Sequence, residues 1–266
     1  MSLSYPEKET YSIEDLLAIM RALRSPEGCP WDRVQTHESI RENFLEETHE
    51  AIEAIDNGDT AGLREELGDV LMQVVFHSVM EEETGHFTFD DVTDELCKKL
   101  LVRHPHVFGD VKATNQAEAL KSWDAMKRAT KKTNAQSDLL KNVPKTLPAL
   151  MRAEKVQDRA RRVGFDYDGV EDTLETLSGE IAELKAEIAS GNVKAQEEEL
   201  GDVLFSVVNV ARFLDIEPEF ALGKSVEKFV RRFAALDKLA AERGIDVPAA
   251  SLDTLNALWD EVKRAE

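Results

Sequence analysis

Apolar residues recur at helical spacing in two neighbouring segments of the first half of the chain. In each segment they fall within one arc of a helical wheel, at about 100° per residue. The two arcs consist of Phe44, Leu45, Ala51, Ile52 and Ile55, and of Leu63, Leu67, Val70, Leu71, Val74 and Val75. Between them, Asn57-Gly58 is a helix stop, and Asp59 or Thr60 can cap the next helix. The pattern predicts two helices joined by a turn so short that they must pack antiparallel.

The same pattern returns later in the chain. Residues 65–71 are repeated without change at 198–204, a shift of 133 positions. A second turn, Ser190-Gly191-Asn192, separates two further apolar arcs. These consist of Leu177, Ile181, Leu184 and Ile188, and of Leu200, Val203, Leu204 and Val207. The chain is therefore an internal duplication, and we predict two repeats of the same architecture.

Composition extends the helical prediction to the whole chain. The 266 residues include only 13 Gly and 8 Pro, whereas residues that favour helix, such as Leu, Ala, Glu, Lys and Arg, are abundant. We predict an all-α protein built from two tandem helical bundles. Polar residues and prolines cluster between periodic segments around Asn142 and Pro144. The predicted domains are therefore residues 1–135 and 148–266, with a linker at 136–147.

Four acidic residues accompany each predicted hairpin and are arranged symmetrically about its glycine. Glu47 and Asp69 are each 11 residues from Gly58, and Glu50 and Glu66 are each 8 residues from it. The second repeat has the same arrangement about Gly191, with Glu180, Glu183, Glu199 and Asp202. The acidic pairs lie beside like-handed edges of the two apolar arcs, so an antiparallel hairpin gathers all four on one side. We predict an acidic quartet in each repeat.

Gathered carboxylates repel one another, each close pair by up to about 4 kcal/mol at 4 Å and an effective dielectric near 20. A cation offsets this repulsion, and all-oxygen ligation suits Mg²⁺, Mn²⁺ or Ca²⁺. A single acidic pair is more often a solvated helix face, but a mirrored quartet found twice favours a metal site. We expect Mg²⁺, with Mn²⁺ as a possible substitute.

A di-iron site is the alternative reading of the first quartet. Glu46 and His49 form the Glu-x-x-His step that di-iron bundles use. The second repeat has Gly179 and Ala182 at these positions. The histidine is therefore not part of the chemistry that the two repeats share.

Basic and aromatic residues follow each hairpin at matching spacings. The pairs, each four residues apart, are Lys99 with Arg103, Lys228 with Arg232, Trp123 with Lys127, and Trp259 with Lys263. Two cations on one helix face beside a metal cluster indicate a clamp for a polyphosphate, and tryptophan offers a flat surface for a base. The alternatives are a solvated basic face and a tryptophan that only packs. Recurrence of both kinds of pair favours the binding roles.

The net charge of -20 argues against sequence-independent binding to nucleic acid or to anionic membranes, since both need basic surface. The two cysteines, Cys29 and Cys97, are far apart, so neither a disulfide framework nor a thiolate zinc site is indicated. The sequence has no secretory-signal pattern and no apolar run long enough to span a bilayer. We expect a cytoplasmic protein without a membrane or nucleic-acid partner.

Further motifs complete a resemblance to a known family. They are residues 28–32, 103–108, 164–166, 227–229 and 231–233, together with the acidic quartets and the Trp-x-x-x-Lys endings. In order and spacing they resemble MazG, the tandem-domain nucleoside triphosphate pyrophosphohydrolases. The resemblance implies the all-α fold shared with dimeric dUTPases and phosphoribosyl-ATP pyrophosphohydrolase, and a homodimer. It also implies Mg²⁺-dependent hydrolysis of a nucleoside triphosphate to the monophosphate and pyrophosphate.

The resemblance also implies roles for single residues. It assigns metal binding and catalysis to the quartets, triphosphate contacts to Lys228 and Arg232, and the base contact to Trp259 with Lys263 nearby. We favour the second repeat as the catalytic one, because its basic helix also carries Lys224. The resemblance further implies a house-cleaning role, and the tandem layout favours broad base tolerance.

Two other functions stay open at this point. The chain could be a non-catalytic helical module that binds Mg²⁺ to hold a dimer or to sense nucleotide. It could also be an enzyme of the same chemistry that accepts a single nucleotide, such as dUTP or phosphoribosyl-ATP.

Overall fold

The computed structural model describes residues 5–115, 118–119, 122–123, 126 and 140–265. Within these ranges the regular elements are helices, and no strand is present. The prediction of an all-α fold is therefore confirmed. In the same ranges, no helix combines the length and the apolar character needed to traverse a bilayer.

The chain divides into two compact units, Met1–Lys132 and Thr133–Glu266. The predicted linker falls at the start of the second unit, and its residues 136–139 lie outside the described ranges. The exact limits of the two predicted domains stay a prediction.

The first unit opens with a helix that packs on its longest one. Its helices are α1 (Ile13–Arg24), α2 (Pro30–Arg33), α3 (Arg41–Asp56), α4 (Thr60–Thr84), α5 (Phe89–Arg103) and α6 (Pro105–Phe108). Capping boxes begin α1 and α5, where the Ser12 and Thr88 hydroxyls accept from backbone N–H groups. The core joins α1, the loop before α3 and the second half of α4. It consists of Leu17, Met20, Ile40, Val75, Phe76, Val79 and Met80.

The turn between α3 and α4 forms as its residues predict. Gly58 has φ 65°, a left-handed conformation that glycine adopts without strain. The Asp59 carboxylate caps α4 by accepting hydrogen bonds from the N–H groups of Ala61 and Gly62. As a result α3 and α4 fold back on each other as a hairpin.

The second unit repeats this hairpin. Its helices are α7 (Ala149–Arg161), α8 (Val170–Ser190), α9 (Val193–Phe213), α10 (Pro218–Glu242) and α11 (Leu252–Ala265), with a 3₁₀ turn at Val247–Ala249. Gly191 at φ 76° ends α8, and the Asn192 side chain caps α9. A small core of Leu236, Ala240, Leu258 and Val262 joins α10 to α11.

The two hairpins are not identical in length. Helix α4 has 25 residues and α9 has 21, so α9 is shorter by four residues, about one helical turn. The shift between the repeats is accordingly 133 residues at the quartets but 129 at the following Lys/Arg pair. The missing turn shortens the path from the acidic residues to the basic helix.

The apolar arcs pack less completely than their pattern predicts. We expected them to face one another across each hairpin, yet several large members are about half exposed. These are Leu45, Ile55 and Leu67 in the first unit, and Ile188, Leu200 and Leu204 in the second. In α3 the buried residues are the small Ala51 and Ala54. Each hairpin therefore leaves part of its apolar surface open.

Candidate metal and nucleotide site

The first hairpin brings its acidic residues together. One carboxylate oxygen from each of Glu47, Glu66 and Asp69 lies within 4.8 Å of the other two. Partial burial, with the charges of Asp69 and Glu50, raises the pKa of Glu47. Partial burial also raises the pKa of Glu66, and the neighbouring Glu50 and Asp69 add to the effect. The fourth member, Glu50, is thus close enough for its charge to act on the other acidic residues.

The second hairpin builds the same cluster. Carboxylate oxygens of Glu180, Glu199 and Asp202 also lie within 4.8 Å of one another. Partial burial raises the pKa of Glu180, with Asp202 and Glu183 contributing. The pKa of Glu199 is raised by partial burial and then by the charges of Glu183, Asp202, Glu180 and Glu187. Each hairpin therefore concentrates negative charge at one place.

Such a cluster has a clear chemical use. Its donors are oxygen atoms, the ligands that hard divalent cations take in proteins. The raised pKa values show that the carboxylates repel one another when the site holds no compensating charge. Both clusters could therefore hold a metal ion.

The basic pair and the tryptophan of the second unit lie on adjoining helices. Lys228 and Arg232 belong to α10, which contacts both α9 and α11. Trp259 of α11 packs on Phe229, with ring centroids 5.1 Å apart. Lys263 forms an ion pair with Asp260, at 2.7 Å between Nζ and Oδ1. The candidate base platform thus lies beside the helix that carries the candidate phosphate clamp.

In the first unit the corresponding residues are only partly described. Lys99 and Arg103 lie on α5. The guanidinium of Arg103 sits over the Trp123 ring, 5.6 Å from its centroid. Lys127 lies outside the described residues. The predicted clamp and the predicted aromatic surface therefore meet here as well.

Sequence reasoning gave no role to two aromatic residues of α10. Phe229 contacts Trp259, and its ring stacks on that of Phe233 at 6.2 Å between centroids. Both phenylalanines are about half exposed. Their spacing of four residues, next to Lys228 and Arg232, was the signal that could have revealed an aromatic ridge beside the clamp.

Fold and site together define a class of all-α proteins in which helical hairpins hold acidic clusters. The model of the MazG nucleotide pyrophosphohydrolase domain matches the chain twice, over residues 35–108 and 168–236. Each match includes one of the hairpins. The chain belongs to the MazG nucleotide pyrophosphohydrolase family.

Full-length relatives support this assignment. The chain is 44% identical over 257 residues to the nucleoside triphosphate pyrophosphohydrolase of Escherichia coli strain K12, covering 96% of this chain and 98% of that one. It is 42% identical over 250 residues to the nucleoside triphosphate pyrophosphohydrolase/pyrophosphatase MazG of Thermotoga maritima, covering 94% and 95%. It is also 46% identical over 253 residues to the uncharacterized protein YabN of Bacillus subtilis, covering 94% of this chain and 51% of that protein.

Proposed function

We propose that the chain hydrolyses nucleoside triphosphates to nucleoside monophosphate and pyrophosphate, and that it does so with Mg²⁺. The observation that carries the proposal is the pair of carboxylate clusters, each with oxygens within 4.8 Å of one another. Membership of the MazG family supports the reaction class. The names of two relatives that match over nearly their full length support the same activity.

The donor set of each cluster fits Mg²⁺. A few carboxylates leave positions in an octahedral shell for phosphate oxygens and water, which is how Mg²⁺ is bound with nucleotides. Mn²⁺ accepts the same ligands. When bound, the cation supplies neutralisation of phosphate charge and makes a nearby water easier to deprotonate.

The side chains of the second unit divide the remaining work. Glu183 takes a proton from the water that attacks the α-phosphorus. The bond between the α-phosphorus and the bridging oxygen to the β-phosphate then breaks, and pyrophosphate leaves. Lys228 and Arg232 neutralise the charge that develops on the departing oxygens.

We place catalysis in the second unit because of helix lengths. There the quartet's aspartate lies 11 residues before the end of α9, and the first cation lies 10 residues after the start of α10. In the first unit the corresponding counts are 15 and 10. At 1.5 Å per residue the basic pair of the first unit is offset by about 6 Å more along the hairpin. The second unit thus brings clamp and carboxylates nearly level.

Base recognition falls to the aromatic surface of Trp259 and Phe229, with Lys263 at its edge. Stacking accepts every base because every base presents a π-face. We therefore propose broad base tolerance and a house-cleaning role for the enzyme in the cytoplasm, with no nucleic-acid partner.

A homodimer would cover the apolar surface that each hairpin leaves open. Large side chains such as Leu200, Leu204 and Phe229 are about half exposed in the single chain. Contiguous apolar surface of this kind marks protein interfaces, and most soluble oligomers are symmetric assemblies of one chain.

The decisive experiment measures pyrophosphate release by the whole chain over all NTPs and dNTPs. We expect release from several nucleotides with Mg²⁺ and none with EDTA. A steep preference for one nucleotide would indicate a specialised enzyme. Thermal stabilisation by nucleotide without release would indicate a binding module. In ¹⁸O-water the label must enter the monophosphate, and label in pyrophosphate would overturn attack at the α-phosphorus.

A further inference from the structure

Three histidines and a glutamate of the first unit form a hydrogen-bonded chain away from the acidic quartet. His37, in the loop before α3, meets His77 of α4 at 2.7 Å between the two Nδ1 atoms. On its other side, His37 Nε2 lies 2.7 Å from Glu81 Oε1. The second oxygen of Glu81 is 2.7 Å from His86 Nδ1. One imidazole therefore bridges a histidine and a carboxylate that are four residues apart on α4.

The two rings meet edge to edge. Their planes differ by only 6°, and their centroids are 5.0 Å apart. This separation exceeds the Nδ1–Nδ1 distance by about the width of one ring, so both nitrogens lie close to the line between the ring centres. Each Nδ1 therefore points at the other, and a single proton can lie between them.

The hydrogen-bond partners fix which nitrogen of His37 carries the proton. An ionised carboxylate only accepts, so His37 donates Nε2–H to Glu81. In the neutral ring Nδ1 then carries a lone pair that faces His77. Burial, followed by the charge of His37, lowers the pKa of His77, which keeps that ring neutral as well. Two neutral imidazole nitrogens thus share one replaceable proton.

We propose that His37 and His77 form a binding site for a borderline divalent cation such as Zn²⁺, with Glu81 orienting His37. Imidazole nitrogen suits Zn²⁺, Ni²⁺ and Cu²⁺ and not the hard cations that acidic clusters take. Metal-binding histidines characteristically donate their second N–H to a carboxylate, which is the role of Glu81. The hydrogen bond from His86 Nδ1 in turn holds that carboxylate.

Binding requires a small movement. Zn–N distances of about 2.0–2.1 Å at a tetrahedral angle separate the two nitrogens by about 3.3 Å, against 2.7 Å in the structure. The His37 side chain is 42% exposed and lies in a loop, so it can shift while it keeps its bond to Glu81. Water can complete the coordination from the exposed side. The proton between the rings leaves when the cation enters.

The site is separate from the hairpin chemistry. His77 lies eight residues after Asp69 on α4, about 12 Å along the helix. The positions of His77 and Glu81 in the second repeat hold Val210 and Leu214. The histidine site therefore belongs to the first unit alone and is independent of the proposed catalysis.

Zn²⁺ titration of the full chain by calorimetry, in excess Mg²⁺ to fill the acidic clusters, tests the proposal. We expect one Zn²⁺ per chain and a rise in melting temperature, because the cation ties the loop before α3 to α4. His37→Asn and His77→Asn should each weaken binding at least tenfold. Glu81→Gln should weaken it by about 10- to 100-fold. His49→Asn, which removes an exposed imidazole from the same unit, is the matched control and should bind as the parent does.

Equal Zn²⁺ affinity in the parent and both histidine variants would overturn the proposal, and so would an absence of binding by the parent. Circular dichroism establishes that each variant is folded. If a histidine variant unfolds, ¹⁵N NMR of the parent decides, since Zn²⁺ must shift the Nδ1 signals of two histidines. Pyrophosphate release should be unchanged in His77→Asn, which separates failure of this site from failure of the enzyme proposal.

Discussion

Arg212, near the end of α9, grips Asp166 in the loop before α8 with two hydrogen bonds. Arg212 Nη1 donates to Asp166 Oδ2 at 3.1 Å, and Nη2 donates to Oδ1. The two side chains are only 11% and 20% exposed. The bidentate pair therefore fixes the start of the hairpin that carries the second acidic quartet.

This pair predicts a loss of stability in acid. The hydrogen bond from Arg212 holds the pKa of Asp166 below its ordinary value of 3.8. A lowered carboxyl pKa contributes stability that is present above the unfolded pKa and is lost as the pH falls from there through the folded pKa. Asp166→Asn should reduce the free energy of unfolding at pH 7 by about 1–3 kcal/mol, measured by urea denaturation.

The control for Asp166→Asn is Asp168→Asn, an exposed position of the same loop, which should leave stability within about 0.5 kcal/mol of the parent. The difference between Asp166→Asn and the parent should shrink below pH 4. A difference that stays constant down to pH 2 would contradict the assigned charge effect.

The two quartets should differ in their effect on activity. Glu199→Gln removes a carboxylate of the proposed catalytic unit and should lower kcat by on the order of 10²–10³-fold, as loss of one stabilising group in a transition state does. Glu66→Gln makes the same change in the first unit and should leave kcat within about threefold, a factor near the standing uncertainty of single-contact effects. Steady-state pyrophosphate release measures both. Equal losses in the two variants would show that both units are catalytic.

The quartets also predict how stability depends on pH without metal. Partial burial raises the pKa of Glu66 and Glu199 above 4.5, so the folded state holds their protons more tightly than the unfolded chain does. Stability contributed in this way is complete below the unfolded pKa and is lost as the pH rises through the folded pKa. In EDTA the melting temperature should therefore fall as the pH rises above about 4.5, and Mg²⁺ should restore it.

The double variant Glu66→Gln/Glu199→Gln should melt higher than the parent in EDTA at pH 7, and the gain should disappear in Mg²⁺. Glu175→Gln, an exposed position of α8, serves as the control for loss of one charge. A double variant that gains no more than this control does would refute the idea that the quartets repel at neutral pH.

Trp259 should act on substrate binding and not on the chemical step. Stacking of a base on an aromatic ring contributes about 1–3 kcal/mol, so Trp259→Ala should raise KM by about 5- to 150-fold with a small change in kcat. Because Trp259 also packs against the core of α10 and α11, Trp259→Phe is needed as the folded control. It should keep most of the affinity.

The open apolar surface predicts a concentration-dependent dimer. Leu204 of α9 is 50% exposed in the single chain, and Leu204→Lys should convert the dimer to a monomer, measured by light scattering after gel filtration. Lys194, at an exposed position in the first turn of α9, provides a control as Lys194→Glu, which should remain dimeric. A monomeric parent protein would contradict the dimer directly.

The hairpins were predictable from sequence because their causes are local. Asn57-Gly58-Asp59 specifies the turn, and the mirrored spacing of Glu47 and Asp69 about it then requires the carboxylates to meet. The structure places both quartets as this reasoning predicted.

Other features depend on contacts that no local pattern encodes. The apolar arcs revealed which helix face is apolar, but periodicity does not tell what covers that face, so the exposure of Leu204 was not foreseen. His37 and His77 are 40 residues apart, and only the packing of the loop on α4 brings them together. The contact of Phe229 with Trp259 depends in the same way on how α10 meets α11.

The shorter α9 shows how a duplicated fold can change one spacing and keep the rest. Four residues make slightly more than one full helical turn, so their removal draws the next helix closer while the side chains beyond the deletion return to nearly the same direction. Helix length here acts as a ruler graduated in whole turns, and one graduation separates the two copies. Adding a turn back to α9 would keep the clamp facing the same way but set it too far off to grip a triphosphate.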